Sequence, residues 1–231
     1  MYLQTKTWKF KKISNTLFFK NYEKGCFTIV FDFDGVFTSP QEIKARLINK
    51  LGYKIRPHET EAEYCIKFKK VKEENYKKAT IDAYTKFLMR TPLAKGVDPY
   101  FYKVKKFSIK LYVLSSRSDD MIMWLEPYLK KYRLIFGGIF NTNDGPKRKL
   151  LALLRPDIFV EDSPYKLRDV FEDQGCKKVN TKLKQCKFIL LRNVANKHSK
   201  VKGKIQVIPS WKYLYELIKK EKNDDNSAYE K

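Results

Sequence analysis

The order of apolar and polar positions predicts alternating strands and helices over the second half of the chain. From about residue 97, short apolar runs of strand length alternate with stretches in which apolar residues recur at helical spacing. The predicted strands are 109–114, 134–140, 157–160, 188–191 and 205–207, and the predicted helices are 99–107, 120–131, 146–154, 167–173 and 211–220. Such alternation is typical of a parallel sheet with helices on both faces, so we predict a doubly wound, Rossmann-like α/β domain.

The first half of the chain departs from this alternation. An apolar run at residues 26–30 predicts the first buried strand, and helical patterns follow it at 41–51, 57–61 and 76–89. We therefore expect residues 40–93 to form a small helical cap inserted after the first strand. The α/β core is then built from residues 23–39 and 94–220.

The two ends of the chain differ from the rest in composition. Residues 1–22 contain no acidic side chain, so we expect a basic N-terminal extension. Residues 221–231 are polar and are expected to form a disordered tail.

The charge of the chain is strongly positive. It carries 49 Lys and Arg against 26 Asp and Glu, a formal net charge of +23. A charge of this size favours a polyanionic partner, and nucleic acid is the first candidate. A lysine-rich surface is also often only solvated, so charge alone leaves this open. The lysines are concentrated at 67–78, 103–106, 177–187 and 197–204.

Cysteine and hydropathy patterns indicate the compartment. The four cysteines include no Cys-x-x-Cys pair and there are two histidines, which argues against a zinc site or a disulfide framework. No apolar run approaches the ~20 residues of a membrane span. We expect an intracellular, cytoplasmic protein with no membrane association, and the basic first 22 residues leave import into an organelle open.

Two carboxylates follow the first predicted strand. Asp32 and Asp34 lie two residues apart, so they leave the end of an extended strand on the same side, where a divalent cation and a phosphate can be held between them. Asp34-Gly35 is also a common turn dipeptide, so an ordinary turn is the alternative, and we favour the site over it.

Three further polar signals fall at predicted strand ends or helix starts. The hydroxyls of Ser115 and Ser116 follow the strand at 109–114, where nearby backbone N–H groups can bind phosphate oxygens. Lys147 precedes a helix and can neutralise a nucleophile and a transferring phosphoryl group. Glu161 and Asp162 end the strand at 157–160 and suit Mg²⁺.

These four signals, in this order, resemble the motifs of the haloacid dehalogenase-like superfamily of phosphohydrolases, over about residues 26–220. The resemblance implies a phosphatase that uses Mg²⁺, with a helical cap between the first two motifs. By that resemblance, Asp32 is the nucleophile that forms an aspartyl-phosphate, and Asp34 is the general acid and base. Ser115 and Lys147 complete the catalytic set, with Lys147 as charge stabiliser. The phosphate-binding residues are then Ser115, Ser116 and Lys147, and the metal ligands are Asp32, Asp34, Glu161 and Asp162.

Two motif positions have alternatives within the chain. Ser116 can replace Ser115 as the motif hydroxyl, and Lys149 can replace Lys147 as the motif lysine. The acidic pair also lacks the third carboxylate often found a few residues later in the superfamily, because Tyr165 and Lys166 stand there.

The substrate class is indicated less directly. The run at 147–164 and the segment 209–211 look similar to 5′(3′)-deoxyribonucleotidase-like phosphatases. Together with the charge, this favours a phosphomonoester on a nucleotide or a nucleic-acid end, and a small sugar phosphate stays open. The competing hypothesis is a non-catalytic nucleic-acid-binding subunit of a ribonucleoprotein or another large assembly. Because every catalytic position is filled, we favour catalysis.

Overall fold

Six neighbouring parallel strands make up most of the sheet in the computed structural model. The structure describes residues 2–4, 10–12, 26–143, 145–172, 183–196, 199, 201 and 203–229. With two further strands the described sheet has the order β2-β1-β5-β4-β3-β6-β7-β8. The strands are β1 Tyr2–Gln4, β2 Phe10–Lys12, β3 Thr28–Phe31, β4 Lys110–Ser115, β5 Gly138–Asn141, β6 Ile158–Glu161, β7 Lys187–Leu191 and β8 Ile205–Ile208. The prediction of a doubly wound parallel sheet is therefore confirmed.

The strand order reverses between β3 and β6. From β3 the chain continues to β4 and β5 on one side and then to β6, β7 and β8 on the other. In open α/β sheets, ligands bind beyond the carboxyl ends of the strands at such a reversal. The segments after β3 and β6 therefore lie where the fold favours a site.

The N-terminal segment differs from the expected extension. β1 and β2 pair with each other in antiparallel fashion, and β1 also pairs with β5, with Tyr2 opposite Ile139. The edge strand of a sheet offers unpaired backbone groups, and the start of the chain bonds to them. Part of the basic segment therefore belongs to the sheet, and the rest of residues 1–22 lies outside the described residues.

Helices cover both faces of the sheet and build the insert. The described helices are α1 Gln41–Asn49, α2 Glu73–Tyr84, α3 Val97–Val104, α4 Asp119–Ile122, α5 Leu125–Lys131, α6 Arg148–Leu154, α7 Pro164–Glu172 and α8 Trp211–Tyr229. Short helical turns at Pro57–Glu59, Tyr64–Phe68 and Leu88–Arg90 complete residues 40–93, which we call the helical insert. None of the helices in the described ranges is long and apolar enough to cross a membrane.

The last helix corrects the expectation of a disordered tail. α8 continues nine residues beyond the predicted end at residue 220, to Tyr229. Residues 211–229 contain no Gly or Pro to interrupt a helix, and Glu221 forms an ion pair with Lys187 of β7. Only residues 230 and 231 of the predicted tail lie outside the described residues.

The buried apolar residues form three clusters. On one face of the sheet, Ile29 and Phe31 pack with residues of α3, α5 and α8, among them Trp211. On the other face, Val30 packs with α6 and α7. The insert has a smaller cluster of its own, made of Ala45, Ile48, Ile55, Cys65, Val71 and Ala79. The alternation of Ile29, Val30 and Phe31 between faces holds β3 in its register, and with it the segment that follows.

Candidate active site

Asp32 lies at the centre of a buried ionic cluster beyond β3 and β6. Its N–H donates to the carbonyl of Val160 (2.8 Å), which anchors it to the end of β6. The Lys147 ammonium donates to Asp32 Oδ1 and to Glu161 Oε2, the latter at 2.7 Å. Asp32 and Glu161 are at most 1% exposed. Burial opposes the charge on Asp32, but the charges of Lys147 and Lys166, the hydrogen bond from Lys147 and a backbone hydrogen bond from Phe33 together outweigh it and hold the pKa of Asp32 below its ordinary value.

Three carboxylates converge in this cluster. One oxygen of each of Asp32, Glu161 and Asp162 lies within 4.8 Å of the others. Burial raises the pKa of Asp162 well above its ordinary value, and the charges of Glu161 and Asp32 add to the shift. The second oxygen of Asp32, Oδ2, is buried and has no hydrogen-bond partner. An unpaired buried oxygen among three carboxylates is an environment that a hard cation such as Mg²⁺ fits.

Backbone and asparagine groups fix the acidic pair. Glu161 Oε1 accepts hydrogen bonds from the N–H groups of Asp162 (3.2 Å) and Ser163 (3.1 Å). Asn193 Nδ2 donates to Asp162 Oδ2 (2.8 Å), and Asn196 Nδ2 donates to the Asp162 carbonyl (2.5 Å). These two asparagines hold Asp162 from the carboxyl end of β7. Sequence reasoning missed both, although they are polar residues that follow an apolar strand run, as the other site residues do.

Gly35 gives Asp162 the space it occupies. Its φ is +87°, in the left-handed region that favours glycine, and a Cβ atom built on it would overlap the Asp162 carboxylate. The turn after Asp34 therefore serves the site directly, since any larger residue at Gly35 displaces Asp162.

Asp34 is held by a cation that sequence reasoning gave no role. Arg117 Nε donates to Asp34 Oδ2 and Arg117 Nη2 to Asp34 Oδ1, both at 2.9 Å. Arg117 Nη1 donates to the carbonyl of Tyr84 (2.7 Å), at the end of α2 in the insert. Arg117 thus engages both oxygens of Asp34, and Asp34 is not one of the three described carboxylates that lie within 4.8 Å of one another. A metal contact of Asp34 stays a prediction.

The two candidate hydroxyls and the two candidate lysines differ in burial and in their contacts. Ser115 is buried at the end of β4, and its Oγ accepts a hydrogen bond from the Arg117 N–H (3.2 Å). Ser116 is half-buried beside it. Lys147 contacts the carboxylates, whereas Lys149 is exposed on α6. The geometry therefore favours Lys147 as the site lysine.

A second lysine faces the same carboxylates. Burial opposes the charge on Lys166, but the charges of Asp32, Glu161 and Asp162 outweigh it and raise the pKa of Lys166 above its ordinary value. Lys166 stands in the first turn of α7, where the superfamily often has a further carboxylate. The departure from that pattern thus adds positive charge at the cluster.

The fold resembles solved structures of hydrolases. It matches a phosphonoacetaldehyde hydrolase-like protein from Oleispira antarctica (TM-score 0.57, 12% identity, 87% of this chain and 94% of the other). It also matches a conserved haloacid dehalogenase-like protein of unknown function from Agrobacterium tumefaciens (0.53, 17%, 85% and 99%) and a predicted phosphatase from Clostridium acetobutylicum (0.53, 15%, 84% and 99%). No protein-family model and no curated protein matches the sequence.

At these identities the likeness establishes the fold alone. The chain has the Rossmann-like α/β fold of haloacid dehalogenase-like hydrolases. The chemistry of this chain has to be argued from its own site.

Proposed function

We propose that this protein is a Mg²⁺-dependent phosphomonoester hydrolase that acts through an aspartyl-phosphate intermediate. The observation that carries the proposal is Asp32, a buried carboxylate with one oxygen fixed by Lys147 and the other, Oδ2, without a hydrogen-bond partner. Asp32, Glu161 and Asp162 are the residues that would hold the metal. When bound, Mg²⁺ would neutralise charge on the phosphoryl oxygens and orient the phosphate towards Asp32.

The residues of the site divide the reaction between them. Asp32 attacks phosphorus and forms the O–P bond as the ester bond breaks, and Asp34 donates a proton to the leaving alkoxide. Asp34 then accepts a proton from the water that attacks the aspartyl-phosphate, which releases inorganic phosphate and restores Asp32. Because Arg117 donates to both oxygens of Asp34, the atom of Asp34 that transfers the proton also accepts a hydrogen bond from Arg117 in this arrangement. Ser115 is the proposed donor to a phosphate oxygen, with Ser116 beside it.

The proposed substrate is a phosphomonoester on a nucleotide or at a nucleic-acid end. The net charge of +23 supports a polyanionic substrate, and most lysines of the described runs 67–78 and 103–106 are exposed. Much of the other two lysine runs, including Lys177, Lys178, Lys182, Lys197, Lys200 and Lys202, lies outside the described residues. The likeness of 147–164 and 209–211 to 5′(3′)-deoxyribonucleotidase-like phosphatases supports the same class.

The test is phosphate release by wild type and Asp32→Asn, with Mg²⁺ and with EDTA. The substrates are an aryl phosphate, deoxynucleoside monophosphates, and oligonucleotides with a 3′ or a 5′ terminal phosphate, at low and moderate salt. We expect Asp32→Asn to lose activity by about 10⁴-fold or more, since it removes the nucleophile. Asp169→Asn, an exposed carboxylate on α7, is the matched control and should keep wild-type activity.

Two results would count against the proposal. Activity that survives in Asp32→Asn would exclude Asp32 as the nucleophile. Absence of release from every substrate, with folded protein and bound Mg²⁺, would favour the non-catalytic nucleic-acid-binding alternative.

A further inference from the structure

A cavity of about 670 Å³ lies close to the carboxylate cluster. Gly35 and Asn193 form part of its wall, and both lie against Asp162, so the cavity is one residue away from the candidate metal site. Its volume falls in the range of pockets that hold molecules of nucleotide size. The function proposed above assigns no occupant to this cavity.

The charges around this cavity have one sign. Lys95, Arg192 and Lys212 line it, and the described residues of its lining include no Asp or Glu. Arg192 is held in place because its guanidinium donates to the carbonyls of Asn196 and Ser199 (2.8 Å for Ser199). Lys95 and Lys212 are exposed, and neither forms an ion pair with a described carboxylate. An anion that enters the cavity therefore meets three cations and no like charge.

Three helices begin at the same cavity. Gln41 is the first residue of α1, Gly96 precedes α3, and Trp211 is the first residue of α8, and all three line it. The first turn of a helix presents unsatisfied N–H groups and a partial positive charge. For α1 and α3, no side chain caps these groups. The backbone thus adds to the positive potential set by the three side chains.

The side chain of Gln41 adds a donor that does not belong to a helix terminus. Gln41 is 5% exposed, and its Oε1 accepts a hydrogen bond from Ser39 Oγ (3.0 Å). Its Nε2 group has no hydrogen-bond partner among the described residues and is not one of their buried unpaired atoms, so it keeps contact with solvent in a side chain that lines the cavity. An anion that replaces this solvent can therefore accept a hydrogen bond from an amide already held in place by Ser39.

We propose that this cavity binds a second phosphate group of the substrate, one that is not hydrolysed. Cations, helix N-termini and an amide donor around one space are the groups that recognise phosphate oxygens. The inference rests on the proposed function, because the second phosphate belongs to the molecule whose terminal phosphate reacts at Asp32. Two sources have this chemistry, the phosphodiester next to a nucleic-acid end and the other phosphate of a nucleoside bisphosphate.

The first experiment compares substrates with one and with two phosphate groups. The variant is Lys95→Met combined with Lys212→Met, and the control is Lys219→Met, an exposed lysine of α8 that does not line the cavity. The substrates are an aryl phosphate, deoxyadenosine 3′,5′-bisphosphate and an oligonucleotide with a terminal phosphate. In the double variant, kcat/KM relative to the aryl phosphate should fall by about 10-fold or more for at least one of the two larger substrates, because each cation lost weakens phosphate binding. An unchanged ratio for both of them would overturn the proposal.

The two sources give different results. A loss confined to the bisphosphate identifies a free nucleotide. A loss for the oligonucleotide identifies a nucleic-acid end. In that case the slope of log KM against log salt concentration should also fall by about two, one for each lysine removed.

A binding measurement separates this proposal from the proposed function. Calorimetric titration of deoxyadenosine 3′,5′-bisphosphate into Asp32→Asn protein, with and without the two lysine substitutions, does not depend on turnover. Weaker binding in the lysine variant supports the cavity even if wild type hydrolyses nothing, in which case only the proposed function fails. Equal binding in both proteins, together with normal phosphatase activity in wild type, means that only the cavity proposal fails.

Discussion

The carboxyl edge of the sheet and the helical insert place their charged residues in opposite environments. At the sheet edge, the paired side chains of Asp32, Lys147 and Glu161 are at most 3% exposed. In the insert, the ion pairs Lys67–Glu63, Lys77–Glu73 and Lys86–Asp82 lie largely on the surface at helical spacing. A surface pair contributes about 0–1 kcal/mol, whereas breaking a buried pair costs about 3–5 kcal/mol.

This difference is the one expected between charges used in chemistry and charges exposed to solvent. Burial of the cluster around Asp32 is unfavourable in itself, which agrees with the catalytic use that we propose for it. Substitutions at the sheet edge should therefore change activity and stability together. Comparable substitutions in the insert should change either property only slightly.

Lys147→Met should give the largest effect among the substitutions outside Asp32. It removes the cation that is hydrogen-bonded to Asp32 and Glu161, so we expect activity to fall by about 10³-fold and the free energy of unfolding to fall by about 3–5 kcal/mol. Phosphate release and urea denaturation measure the two changes. Lys149→Met, an exposed lysine two residues further along, should change the free energy of unfolding by less than about 0.5 kcal/mol. Equal losses in both variants would contradict the assignment of Lys147.

Gly35→Ala tests whether the turn after Asp34 serves the metal site. The added Cβ overlaps the Asp162 carboxylate, so we expect the Mg²⁺ concentration for half-maximal activity to rise by about 10-fold or more. Gly52→Ala in the insert is a matched control, because Gly52 has a φ of +90° and nothing lies within 4 Å of its built Cβ. Gly52→Ala should lower the free energy of unfolding by about 1 kcal/mol, because alanine is strained at a positive φ, without a change in Mg²⁺ dependence. The same Mg²⁺ shift in both variants would show that backbone strain, and not contact with Asp162, is responsible.

Arg117→Lys tests the contact between the insert and Asp34, the proposed acid–base residue. Lysine keeps the charge but cannot bond both Asp34 oxygens and the Tyr84 carbonyl at once, so we expect kcat to fall by about 10-fold with a smaller change in KM. In Arg117→Met, kcat should fall further than in Arg117→Lys. Arg90→Lys, an exposed arginine of the insert, should stay within about two-fold of wild type. A change in KM alone would show that Arg117 acts in substrate binding and does not position Asp34.

Residues with a local pattern could be predicted from the sequence, and residues with only a distant partner could not. Asp32, Lys147, Glu161 and Asp162 follow apolar runs or begin a helix, and the strand order then brings them together. Arg117 follows such a run too, but in a chain with 49 Lys and Arg one more basic residue gives no signal.

The other missed features depend on contacts that are remote in sequence. Asn193 and Asn196 act on Asp162 from 31 and 34 residues away. The strand β1 is three residues long, too short to show periodicity, and its partner Ile139 is far along the chain. In the continuation of α8, Glu221 pairs with Lys187, which belongs to the strand β7.

Glu59→Gln should have the smallest effect on activity, and it probes one of the buried charged residues of the insert. Glu59 is buried and accepts from the Arg56 N–H (2.8 Å), and it pairs with Lys69 (2.9 Å) and Arg56 (3.2 Å). Burial opposes its charge, but the hydrogen bonds from Arg56 and Lys69 outweigh it and lower its pKa from 4.5 to about 2. We expect kcat to stay within about two-fold of wild type, because Glu59 has no contact with the carboxylate cluster among the described residues.

The pH dependence of stability shows whether this pair behaves as a buried one. Because the folded pKa of Glu59 is depressed, its stabilisation is fully present above pH 4.5 and is lost as pH falls towards 2. Glu59→Gln should therefore lower the free energy of unfolding by about 1–3 kcal/mol at neutral pH, with a difference from wild type that shrinks through this window. Glu73→Gln, which breaks an exposed pair, should show almost no difference at any pH. If the two variants behave alike, a buried charge in the insert contributes no more to the free energy of unfolding than a surface charge does. Burial would then distinguish charged residues only at the candidate active site.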